Sequence, residues 1–99
     1  MTIPHKKQLK KSRTKVITID KQIISLFNKR FLYTKRIQIL KRYLRLPISQ
    51  KNREAELINQ YSSLARAKKL PSDFIRDLFK IVFRYSKKTG IIKRWKKNQ

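Results

Sequence analysis

From Val16 to Leu46 the chain contains no proline and no glycine. Proline removes a backbone donor and glycine loosens the backbone, so a stretch without either lets a helix run on unbroken. Apolar residues recur through it three and four apart, at Ile19, Ile23, Leu26 or Phe27, and again at Ile37, Leu40 and Leu44. This spacing predicts one helix of about thirty residues that ends before Pro47, with Ser12 or Thr18 as its cap.

Two further helices follow. One is expected from the Ser49–Asn52 region to Lys68 or Lys69, with Leu57, Ile58, Tyr61, Leu64 and Ala65 on one face. The next starts at the LPSD segment, where Pro71 and Asp73 suit a first turn. Its stripe is Ile75, Leu78, Phe79, Val82 and Tyr85 or Ser86, with Gly90 as the expected stop. One Gly and three Pro are too few turn residues for an all-β chain. The expected fold class is therefore all-α, a domain of one long N-terminal helix and two shorter ones. The long helix cannot bury its whole apolar stripe against two shorter partners, so a second copy is expected to cover the rest.

Charge constrains the partner. Twenty-eight Lys and Arg against five acidic residues give a net charge of +23. A compact chain so charged repels itself and favours a polyanion, of which nucleic acid is the commonest. Acidic residues are absent before Asp20 and after Asp77. The chain thus divides into a basic N-terminal arm at 1–11, a helical domain at 12–90 and a basic C-terminal tail at 91–99. Phosphate-binding candidates at the N-terminal end are Lys6, Lys7, Lys10, Lys11 and Lys15. At the C-terminal end they are Lys87, Lys88, Lys93, Arg94, Lys96 and Lys97, with Trp95 placed to stack on a base. On this ground the chain is expected to bind structured RNA, as a small cytoplasmic ribosomal or ribosome-associated protein. DNA compaction shares the charge argument but has no sequence feature of its own.

Other classes drop out. No apolar run approaches the roughly 20 residues of a membrane span. Without Cys there is no disulfide or thiol chemistry, and a single His makes a metal site untenable. No cofactor is expected.

Polar residues nevertheless interrupt the apolar stripes. Arg30 lies seven residues from both Ile23 and Ile37; Lys41 follows it by eleven, nearly in line. Glu54 precedes Leu57, Ile58 and Tyr61 by three, four and seven, and Ser86 follows Val82 by four. Any one of these is equally an edge residue whose stem lies on apolar surface. Together they describe an interior that holds an anion, because a buried charge needs a partner or a ligand.

Read without gaps from Arg13 to Ser86, the chain resembles the all-helical chorismate mutase family. The resemblance rests on the segment Arg13–Arg30, on Lys41, on Arg53-Glu54 and on the block Leu70–Ser86. It implies an intertwined dimer that rearranges chorismate to prephenate in a unimolecular pericyclic step. It further implies that Arg30, and Arg13 reaching from the second copy, grip the substrate carboxylates. Lys41 would sit at the ether oxygen, Arg53 and Glu54 would border the pocket with Glu54 accepting from the substrate hydroxyl, and Ser86 would bond a carboxylate. A lyase acting on isochorismate shares the fold. Two positions depart from the family pattern: Gly90 stands where an amide or acid contacts the ether oxygen, and Gln50 where an acid contacts the hydroxyl. With these departures and the excess charge, RNA binding is the leading expectation and chorismate mutase activity the alternative.

Overall fold

The computed structural model describes residues 2–47 and 51–97, with side chains described for 4–47 and 51–88. The described residues form three α-helices: α1 (Thr2–Tyr43), α2 (Lys51–Ala67) and α3 (Ser72–Lys97). This is the all-α, three-helix class expected from the sequence. Among the described residues there is no strand, and no helix is long and apolar enough to cross a membrane. The chain forms two compact units, Met1–Leu32 and Tyr33–Gln99, so that α1 contributes to both.

α1 is 42 residues long and begins well before the expected caps. Residues 6–11 are mostly Lys, Gln and Leu, all strong helix formers, which carry the helix back through the basic arm. Pro4 falls in the first turn, where its missing N–H costs no helical bond. Thr18, a candidate cap, is interior, and its hydroxyl donates to the Thr14 carbonyl at 3.0 Å. Thr14 does the same to Lys10.

α1 and α2 end alike. Leu46 N–H donates to the Lys41 carbonyl at 2.8 Å and Arg45 N–H to Arg42 at 3.1 Å. After α2, Leu70 N–H reaches Ala65 at 2.8 Å and Lys69 N–H reaches Arg66 at 3.1 Å. Both are Schellman closures, in which one left-handed residue turns the chain back on the last carbonyls. Arg45 (φ 56°) and Lys69 (φ 59°) take that conformation, although each carries a Cβ. Gly90, the expected stop, lies inside α3, which continues to Lys97. A mid-helix glycine costs only about 1 kcal/mol relative to Ala, too little to end a helix by itself.

The core lies between α2 and α3. Ala65, Val82 and Phe83 are buried there. Tyr61 packs on Phe79 with ring centroids 4.6 Å apart, and Phe83 lies 6.0 Å from Phe79 and 6.5 Å from Tyr61. Tilted pairs of this kind add about 0.5–1.5 kcal/mol each beyond area burial. Leu64, expected on the buried face of α2, is exposed, and of the alternatives Tyr85 and Ser86 on α3 it is Ser86 that is buried while Tyr85 is exposed. Tyr85 instead carries Arg84 and Lys88 over its ring at 5.6 and 5.0 Å. Ser62, absent from the expected stripe, is buried, and its hydroxyl has no hydrogen-bond partner among the described residues.

The expected stripe of α1 is left uncovered in the single chain. Val16, Ile19, Ile23, Leu26, Ile37, Leu40 and Leu44 are all exposed. In the Tyr33–Tyr43 segment four of the five covered positions are polar, Thr34, Lys35, Gln38 and Lys41, and only Ile39 is apolar.

Two substitutions test this account. Ser62→Ala removes an unsatisfied hydroxyl and is expected to stabilise by about 1 kcal/mol, raising the thermal midpoint by roughly 4 °C or more. A lowered midpoint would mean that the hydroxyl is satisfied. Lys69→Gly relieves a left-handed Cβ and should gain about 0.5–1 kcal/mol in a urea titration, whereas the same change at helical Lys68 should lose a similar amount.

Candidate active site

Five polar side chains on the three helices stand out in the second unit: Gln38, Lys41, Glu54, Ser86 and Lys87. Gln38 on α1 is 8% exposed, and its Nε2 donates to the Ser86 backbone carbonyl on α3 at 2.7 Å. Ser86 is itself buried, with its hydroxyl donating back to the Val82 carbonyl at 2.8 Å. On α2, Glu54 Oε1 lies 3.0 Å from Lys87 Nζ of α3, both side chains about one third exposed. Half-buried Lys41 lies in the last turn of α1, three residues after Gln38. A helix carboxyl end favours a cation there.

The helices explain this placement. Gln38 and Lys41 are three apart and so share a face of α1. Ser86 follows Val82 by four and is carried into the same interior by the stripe that packs α3 on α2. Glu54 enters from the first turn of α2, where its charge also suits the positive helix end.

The clustered carboxylates of this acid-poor chain have separate partners. Arg53 pairs with Glu56 at 3.5 Å on an exposed surface; such i, i+3 pairs contribute little to stability. Glu54 is held by Lys87, a residue counted from the sequence among phosphate-binding candidates. One of those counted cations thus pairs with a carboxylate inside the 12–90 domain.

The remaining sequence candidates fall as follows. Arg13 is exposed and Arg30 half-buried, both on the part of α1 in the first unit. Arg53 is exposed on α2. Lys6, Lys7, Lys10, Lys11 and Lys15 are exposed along α1, and exposed Lys88 lies against Tyr85. Gln50 and the side chains of Lys93, Arg94, Trp95, Lys96 and Lys97 lie outside the described residues. Among the described residues no cluster of His, Asp or Glu could hold a metal ion. Sequence reasoning missed Gln38. Its signal was its position three residues before Lys41 and eight after Arg30, which put a third polar group on the line those two define.

What this arrangement offers chemically is a carboxylate held by a lysine and, on the adjacent residue of α3, a backbone carbonyl held by a buried amide. Such a site can orient an anionic molecule and stabilise charge developing within it. Nothing in it needs a proton shuttle or a nucleophile.

Comparison with known proteins decides between the two expectations. The family model of chorismate mutase type II matches residues 12–90. No curated protein and no solved structure matches the chain. The expectation of an RNA-binding, ribosomal or ribosome-associated protein is thereby corrected, since the matched domain is that of an enzyme family and no finding points to RNA or the ribosome. That expectation came from net charge, which reports the sign of a partner and not its class. A small dianion answers to the same field as a polyphosphate chain. Matched over residues 12–90, the chain belongs to the chorismate mutase type II family.

Proposed function

We propose that the protein is a chorismate mutase, converting chorismate to prephenate in the cytoplasm. The observation that carries this reading is the family match over residues 12–90, a range that includes every position named from the sequence for the pocket. In the rearrangement one carbon–oxygen bond breaks as one carbon–carbon bond forms, and no proton or electron enters or leaves. The protein contributes positioning and electrostatic stabilisation alone. Arg30 and Arg13 hold the substrate carboxylates, and Lys41 stabilises charge on the ether oxygen as its bond breaks. Glu54 accepts from the substrate hydroxyl with Arg53 beside it, and Ser86 bonds a carboxylate. A carboxylate has about four lone-pair sites, so Glu54 accepts from a hydroxyl and from Lys87 together.

A homodimer belongs to this reading. The exposed α1 residues Ile19, Ile23 and Leu26 form an apolar stripe that a second copy would cover. In that arrangement Arg13 acts in the partner's site.

Purified protein is expected to remove chorismate absorbance with formation of prephenate. Arg30→Ala should lower kcat/KM by about 10²–10³-fold, the loss typical of removing one charge-stabilising donor. An unchanged absorbance with wild-type protein would overturn the reading. Sedimentation equilibrium should give the mass of a dimer, and Ile23→Asp should shift it toward the 12.0 kDa monomer with loss of activity. An active monomer would exclude a contribution of Arg13 in trans.

A further inference from the structure

We propose that Lys87 is a positioning residue that acts through Glu54 and sets the preference for a substrate bearing a hydroxyl. The inference rests on the function proposed above, in which Glu54 accepts from that hydroxyl. It gives a part in the reaction to a residue that the sequence-derived pocket omits.

A bare carboxylate is an awkward acceptor in this place. The substrate is a dianion, and an uncompensated Glu54 would repel it. Lys87 Nζ lies 3.0 Å from Glu54 Oε1, so the pair presents an acceptor without presenting a net charge. The lysine side chain is 35% exposed and the glutamate 28%, between core and solvent, where charges are screened less than on an open surface.

The pair also fixes direction. A glutamate alone on a helix turns freely about its side-chain bonds. Here one oxygen is held by a residue of another helix, which leaves Oε2 to accept the hydroxyl. Arg53, the neighbour of Glu54 in sequence, does not serve in this way. Its guanidinium lies 3.5 Å from Glu56 on an exposed surface.

α3 presents Lys87 from a turn that is tied on two sides. The preceding residue, Ser86, is buried, and its hydroxyl donates to the Val82 carbonyl at 2.8 Å. The Ser86 carbonyl accepts from Gln38 of α1 at 2.7 Å. One turn earlier, Phe79 and Phe83 pack against Tyr61 of α2. The backbone from which the lysine extends is thus set by packing and by a buried hydrogen bond, and Lys87 carries that definition to Glu54.

The test is steady-state kinetics of the full-length chain on chorismate and on the analogue that lacks the hydroxyl, for wild type, Lys87→Met and Lys87→Arg. The readout is the ratio of the two kcat/KM values. Lys87→Met is expected to lower that ratio about tenfold, and Lys87→Arg, which keeps the charge, to hold it within about threefold of wild type. A lysine that only tied α3 to α2 would slow both substrates alike and leave the ratio where it was. In a Glu54→Gln background Lys87→Met should no longer move the ratio, because the group through which it acts is gone. A Lys87→Met ratio within about threefold of wild type overturns the inference, as does a full fall that persists in the Glu54→Gln background. Where Lys87→Met does not fold, Lys87→Ala gives the same reading with the strongest helix former. An inactive wild type removes the proposed function and this inference with it, whereas an active wild type with an unmoved ratio removes this inference alone.

Discussion

The second unit is organised by how α2 and α3 meet. Ser62 and Ala65 are the most buried residues of α2, each 2% exposed, and both are small. Small side chains at a helix contact let the larger ones beside it interdigitate, and here Tyr61 of α2 meets Phe79 and Phe83 of α3. The same packing fixes the rotation of α3 about its axis, which sends Ser86 inward with Val82 and presents Lys87 to Glu54. A turn of α3 by one residue would exchange Ser86 for exposed Tyr85. The polar cluster is thus a by-product of an apolar contact. Weakening that contact would disturb the site without touching any of its members.

Much of this was legible in the sequence, for reasons that differ from element to element. The three helices follow from spacing and from the prolines that punctuate it, so their order and class were determined before any coordinates. Their ends were harder to read. The closures at Arg45 and Lys69 depend on backbone angles that glycine normally marks, and here basic residues adopt them. Gly90, which does carry the mark, is overruled by the helix on both sides of it. The burial of Glu54 and Ser86 followed from their offsets to apolar neighbours. Gln38 did not stand out, because a glutamine among lysines and arginines looks like one more surface residue until its acceptor on another helix is known.

The charge of the chain illustrates a different limit. A field of +23 acts on any anion, and its range is set by ionic strength and not by the identity of the partner. Specific positions carry more information than the total. Glu54 is one of only five acidic residues, and it is half-buried against Lys87 in a chain with ample exposed surface. A carboxylate retained in such a place offers an acceptor that no lysine or arginine can replace. That requirement is foreign to a surface built only to attract phosphates.

The link from Gln38 to Ser86 ends on a main-chain carbonyl, and this has an evolutionary corollary. Every amino acid that keeps α3 helical brings the same acceptor to position 86, so the serine can drift without breaking the tie. The donor has no such latitude, for few side chains present an amide at that reach. Across descendants of this sequence the bond would leave one fixed position facing one free one, with no correlated pair between them. Methods that infer contacts from paired substitutions would pass over it, although it joins α1 to α3.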